Sequence, residues 1–74
     1  MQLTIRLFAH FRDGRFREEV REVAPGTTVG DIADALHIAR DEVGVVLVNG
    51  RHAAFEQVTR PADVVSIFPL IGGG

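Results

Sequence analysis

The sequence predicts an α+β fold, one mixed sheet of four to five strands with one main helix packed across it. Three features predict it. Apolar and polar residues alternate near the start, one stretch beginning at Thr28 has helical spacing, and Asn49-Gly50 stands between an apolar run and its return. At 74 residues the chain falls below the usual span of one domain, so a single small core is expected.

Leu3, Ile5, Leu7 and Ala9 alternate with Gln2, Thr4 and Arg6, the period of a half-buried strand, while Phe8 puts an aromatic ring on the polar face. Asp13-Gly14 is a hairpin signal, so Arg15 to Val23 should return as the second strand. Phe16 and Val20 share a face there with Glu18 and Glu22, the pattern of a charged, bulged edge strand that resists pairing with other chains. Pro25-Gly26-Thr27-Thr28 turns into a helix with Thr28 as N-cap, its hydroxyl placed to accept from an early backbone N–H. Val29, Ile32, Ala33 and Leu36 form one apolar stripe, Asp31 and Asp34 lie towards the positive end of the helix dipole, and the helix should end between His37 and Ala39.

Gly44 to Val48 reads as a strand buried on most of both faces, followed by the Asn49-Gly50 turn and a short strand with an irregular tail from Arg51 to Val58. Val64 to Phe68 completes the sheet, with Val65 and Ile67 on one face and Val64, Ser66 and Phe68 on the other. Joining the first hairpin through the helix to the remaining strands requires a right-handed crossover.

Composition narrows the function. A hydrophobic share of 46% is too high for a disordered chain, and no apolar run approaches the ~18 residues of a membrane span. All eight basic residues are arginine and the formal net charge is -2, which argues against nucleic acid as the main partner. The absence of cysteine excludes disulfides and thiolate metal sites. The first residues lack the pattern of a secretory signal, so a cytoplasmic location is expected.

Candidate chemistry is sparse. His10, His37 and His52 lack metal-ligand spacing and read as surface residues. Ser66 sits mid-strand without a nucleophile elbow, and the carboxylates of Glu18, Glu19, Asp31, Asp34, Asp41 and Glu42 read as solvated faces and caps. Arg12, Arg15, Arg17 and Arg21 face an equal number of acids in Asp13, Glu18, Glu19 and Glu22, which predicts a cross-strand ion-pair surface rather than a phosphate patch.

Gly72-Gly73-Gly74 differs from these. Three glycines contribute no side-chain packing, and as structure they read as a frayed end. As function, a side-chain-free backbone can pass through a tunnel too narrow for a Cβ, and a glycine carboxylate is unhindered once a partner activates it, for instance as an acyl-adenylate. Composition alone leaves both readings open.

Three segments carry a family likeness: Leu7-Phe-Ala-His-Phe-Arg-Asp13, Val48-Asn-Gly50, and Asp63-Val-Val-Ser-Ile-Phe-Pro-Leu-Ile-Gly-Gly-Gly74. On them the whole chain resembles the ubiquitin-like sulfur carriers of the MoaD/ThiS type, and most of all the small subunit of molybdopterin synthase. The resemblance implies a β-grasp domain over residues 1–71 and a flexible glycine tail over 72–74. It implies that Gly74 is adenylated by an E1-like enzyme using ATP-Mg and then carries sulfur as a thiocarboxylate, with no cofactor or metal bound by this chain.

The same resemblance makes Gly73, Gly72, Ile71, Leu70, Phe68 and Phe8 the partner-binding residues. Phe8, Phe68 and Leu70 should either form an apolar patch on the sheet face away from the helix or be partly buried against neighbouring strands. The implied acceptor is the large subunit of molybdopterin synthase, with neither nucleic acid nor membrane as a partner. The alternatives are a carrier for thiamine that serves a thiazole synthase, and a ubiquitin-like modifier joined to lysines of other proteins. Thr59-Arg60-Pro61-Ala62-Asp63 departs from the family pattern, which has a Gly-Asp turn at this point.

Overall fold

Five strands form a single sheet in the order β2-β1-β5-β3-β4 in the computed structural model, which describes residues 1–71. They are β1 (Gln2–Leu7), β2 (Glu18–Glu22), β3 (Val43–Val48), β4 (Arg51–His52) and β5 (Val64–Pro69). The central pair, β1 and β5, is parallel and the other pairs are antiparallel. Helix α1 (Val29–Ala35) lies between β2 and β3 in the chain, the arrangement that the β-grasp expectation requires.

The core forms on one face of the sheet. Leu3, Ile5 and Leu7 of β1, Val46 and Val48 of β3, and Val65 and Ile67 of β5 are buried together with Val29, Ile32, Ala33 and Leu36, the apolar stripe of the helix. The alternation read for β1 and β5 is thus realised, since Thr4, Val64, Ser66 and Phe68 are only half-buried. For β3 the expectation of burial on both faces is corrected. Val46 and Val48 are buried, whereas Val45 and Leu47 are half-buried because the helix covers only one side of the sheet.

The first connection differs most from expectation. β1 ends at Leu7 rather than Ala9, and a 3-10 turn over Ala9–Arg12 swings Phe11 into the core at 2% exposure. Burying that ring takes the chain off the strand path, with Ala9 at φ 51, so β2 begins at Glu18 rather than Arg15. The β1–β2 register runs unbroken from Gln2↔Glu22 to Arg6↔Glu18, and the expected bulge in β2 is not found.

The arginines of this connection also correct the ion-pair reading. Arg12 Nε donates to the Leu7 carbonyl at 2.7 Å, and Arg15 donates to the carbonyls of Leu36, Phe11 and His37. Of the four, Arg21 forms an ion pair, with Glu19 at 2.8 Å on its own strand.

Thr28 caps α1 as expected. Its hydroxyl accepts from the Asp31 N–H at 3.1 Å while the Asp31 carboxylate accepts from the Thr28 N–H at 3.0 Å, a reciprocal capping box. The helix ends at Ala35, earlier than expected. His37 takes φ 59, donates its N–H to Asp34, and Ile38 donates to Ala33. These are the two bonds of a Schellman ending. Histidine stands where glycine usually signals such an end, so the stop was hidden.

β4 is only Arg51–His52, and the expected strand to Val58 instead becomes a loop tied to the helix start. The Val29 and Gly30 N–H groups donate to Gln57 and Phe55 carbonyls there. At the Asn49 turn, Nδ2 donates to Asp63 Oδ1 at 2.8 Å and Oδ1 accepts from the Val64 N–H at 2.9 Å, which locks the β3–β4 turn to the start of β5.

Candidate functional site

Alternation along β3 and β5 sends one set of side chains to the core and the other to the open face of the sheet. Val45 lies opposite Phe68, and Leu47 opposite Ser66. Phe8, which follows β1, stacks on Phe68 with ring centroids 4.1 Å apart and planes 10° from parallel. Both rings are half-buried, so they pack on each other yet keep an outer surface in water. Of the expected patch residues, Phe8 and Phe68 are thus partly buried against each other, and Leu70 is exposed.

An apolar groove of about 450 Å³ runs beside this stack, between Val45 and Leu47 on one side and Phe68, Leu70 and Ile71 on the other, with His52 at its rim. Leu70 and Ile71 are 63% and 82% exposed. Both side chains are therefore open to water where they line the groove.

Two guanidinium groups lie against the stack. The guanidinium carbons of Arg12 and Arg6 lie 5.2 Å and 5.9 Å from the Phe8 ring centroid, within cation–π range. Arg6 also pairs with Glu18 at 3.2 Å, whereas Arg12 is anchored by its bond to the Leu7 carbonyl.

At the outer end of the groove the chain leaves the sheet at a defined point. The Leu70 N–H donates to the Glu42 carbonyl at 2.9 Å, fastening the residue after β5 to the turn before β3. Phe8, Phe68, Leu70 and Ile71 are therefore brought together, while Gly72, Gly73 and Gly74 lie outside the described residues.

The remaining candidates are scattered. His10, His37 and His52 are exposed, and among the described residues no group of three or more metal-ligating side chains comes together. Ser66 is half-buried in the middle of β5. Asp34 accepts from Arg40 at 2.9 Å and 3.2 Å, and these hydrogen bonds hold its carboxyl below the ordinary value. What the open face offers is apolar side chains, an aromatic stack, and two guanidinium groups beside the Phe8 ring.

Val45, Leu47, Gly44 and His52 were not recognised as part of this surface from sequence. The period of two in Val43–Val48, placed opposite Phe68, was the signal that could have found the first two.

Comparison with known proteins agrees with this geometry. A family model described as the ThiS family matches residues 5–74. SAMP1, the small archaeal modifier protein 1 of Haloferax volcanii, has a crystal structure that superposes with a TM-score of 0.78 at 28% identity, with all of both chains covered. A Pyrococcus furiosus chain provisionally described as molybdopterin converting factor, subunit 1, gives 0.77 at 25% identity, covering 96% of this chain and 99% of that one. The Helicobacter pylori complex of molybdopterin-converting factor subunits 1 and 2 gives 0.66 over all of both chains, and at 14% identity it speaks for the fold alone. No curated protein sequence matches the chain significantly. Among the described residues no helix is long and apolar enough to cross a membrane.

Proposed function

The chain belongs to the ThiS family, a group of ubiquitin-like sulfur carriers, and from that membership we propose that it carries sulfur on Gly74 for molybdenum or tungsten cofactor assembly in the cytoplasm. An E1-like enzyme covers the open face around Phe8, Phe68 and Leu70 and receives Gly72, Gly73 and Gly74 in a channel too narrow for a Cβ. With ATP-Mg held by that enzyme, a Gly74 carboxylate oxygen attacks the α-phosphorus and pyrophosphate leaves. A hydrosulfide nucleophile then attacks the acyl carbon, AMP departs, and a thiocarboxylate remains. The large subunit of molybdopterin synthase accepts the sulfur. In this reading the reacting group of the chain is its own carboxylate, and the catalysis belongs to the partners.

The observation that carries the reading is the apolar groove that runs out to Leu70 and Ile71, directly before the three glycines. It supplies a docking face continuous with the segment to be presented. The test is AMP formation by the adenylating enzyme with two variants. Removing Gly74 should abolish it, and Gly73→Val should block it, while both chains melt like the wild type. A normally adenylated Gly73→Val contradicts the narrow channel. Co-purification with a molybdopterin synthase large subunit, rather than a thiazole synthase, assigns the pathway.

The likeness to SAMP1 favours a second reading, in which Gly74 is joined to lysines of other proteins. That reading predicts Gly74 isopeptides in a proteome digest.

A further inference from the structure

Gly44 stands where the chain leaves the sheet for its tail. Along the β3–β5 ladder Val43 pairs with Pro69 and Val45 with Phe68, so Gly44 is the extra residue of a β-bulge. A Cβ built on it would lie 2.8 Å from the Pro69 carbonyl oxygen, 3.0 Å from the Pro69 carbonyl carbon and 3.1 Å from the Leu70 Cα. All three are backbone atoms, so no side-chain rotation relieves the contact. Glycine is required here by close approach of the backbone rather than by an unusual dihedral angle.

The neighbouring bonds show what that approach achieves. Pro69 is buried, and the Leu70 N–H donates to the Glu42 carbonyl at 2.9 Å. The direction in which Leu70 and Ile71 leave the sheet is therefore fixed by a buried proline before them and by one backbone bond, both within reach of position 44. A side chain there must push Pro69 and Leu70 outward, lengthen the bond to Glu42 and swing Ile71 off the groove.

We infer that Gly44 is the positioning residue that aims the C-terminal segment, so that Ile71 and the glycines after it enter the partner's site in line. This rests on the carrier reading given above. It also separates two requirements on the chain, since Gly73 serves passage through the channel whereas Gly44 serves the angle of entry.

The test compares Gly44→Ala with Gly14→Ala. Gly14 has φ +69 and nothing within 4 Å of the place a Cβ would take, so alanine there strains the backbone without touching Pro69 or Leu70 and supplies a control for lost stability. In ATP–pyrophosphate exchange with the adenylating enzyme, at a temperature where both variants are folded, Gly44→Ala should lower kcat/KM roughly tenfold to a hundredfold. Gly14→Ala should leave it unchanged. Hydrogen exchange at the Leu70 amide should quicken in Gly44→Ala and stay as in the wild type in Gly14→Ala.

Equal exchange kinetics for wild type and Gly44→Ala, or an unchanged Leu70 amide, overturns the inference and leaves the carrier reading standing. A wild-type chain that supports no pyrophosphate exchange overturns the carrier reading and the inference together.

Discussion

Replacing Ala62 with glycine should stabilise the chain, because the loop before β5 holds an alanine in a glycine conformation. Arg60-Pro61-Ala62-Asp63 is a turn closed by the Asp63 N–H donating to the Arg60 carbonyl at 3.1 Å, and Ala62 has φ 69. Proline in the second place and positive φ in the third define a type II turn, whose third position favours glycine. The left-handed region costs an L-residue about 1–2 kcal/mol. Glycine gives back about 0.5–1 kcal/mol of that through the greater freedom of its unfolded chain.

The balance is a gain of about 0.5–1 kcal/mol, which for a domain of this size raises Tm by roughly 2–8 °C. The substitution removes little else, since Ala62 is exposed and its N–H keeps the bond to the Gln2 carbonyl at 2.8 Å. Thermal unfolding followed by circular dichroism measures it. Gly50→Ala, at φ +83 with nothing near its Cβ, should shift Tm the opposite way by a similar amount. An Ala62→Gly Tm equal to or below that of the wild type refutes the claim that this turn is strained.

Three other outcomes follow from the same structure. In a double-mutant cycle of Phe8→Ala and Phe68→Ala, urea unfolding should give a coupling of about 0.5–1.5 kcal/mol, the worth of a stacked aromatic pair; additive effects would deny the stack in solution. Arg15→Met should cost about 1 kcal/mol in the same assay by freeing the Leu36, Phe11 and His37 carbonyls, a modest figure because water can replace an exposed donor. The lowered Asp34 carboxyl stabilises the folded state above the ordinary carboxylate range, and that contribution is lost as pH falls through its folded value. The stability difference between wild type and Asp34→Asn should thus be present at neutral pH and vanish in acid; a difference independent of pH would exclude the Arg40 bond as its source.

Much of the fold was legible in the sequence because its signals are local. The alternation of Leu3, Ile5 and Leu7 fixed the core face of β1, Thr28 and the apolar stripe gave the helix, and Asn49-Gly50 gave the second hairpin. What stayed hidden depends on distant partners. Phe11 reads as a loop residue until the core is there to receive it, and Arg12 and Arg15 read as halves of ion pairs until the carbonyls they cap are in place. His37 gives no cue that it ends a helix, since its φ is imposed by the bonds of its neighbours.

The site divides along the same line. Phe8, Phe68, Leu70 and Ile71 were legible as candidates because the family resemblance names the segment before the glycines and strand alternation turns the two rings away from the helix. Val45 and Leu47 were missed because a nearly continuous apolar run looks buried on both faces, and only the single helix shows that one face stays open. Gly44 reads as the ordinary start of a strand; its contact with Pro69 and Leu70 exists only in the folded ladder.

The central claim is that this chain carries sulfur on its own terminal carboxylate. Intact-mass spectrometry tests it most directly, after incubation with an E1-like enzyme, ATP-Mg and a sulfide donor. The account predicts a mass increase equal to the exchange of one oxygen for sulfur, located at Gly74 by fragmentation and lost when Gly74 is deleted. An unchanged mass under conditions where the enzyme forms AMP, or sulfur found on any other residue, contradicts it.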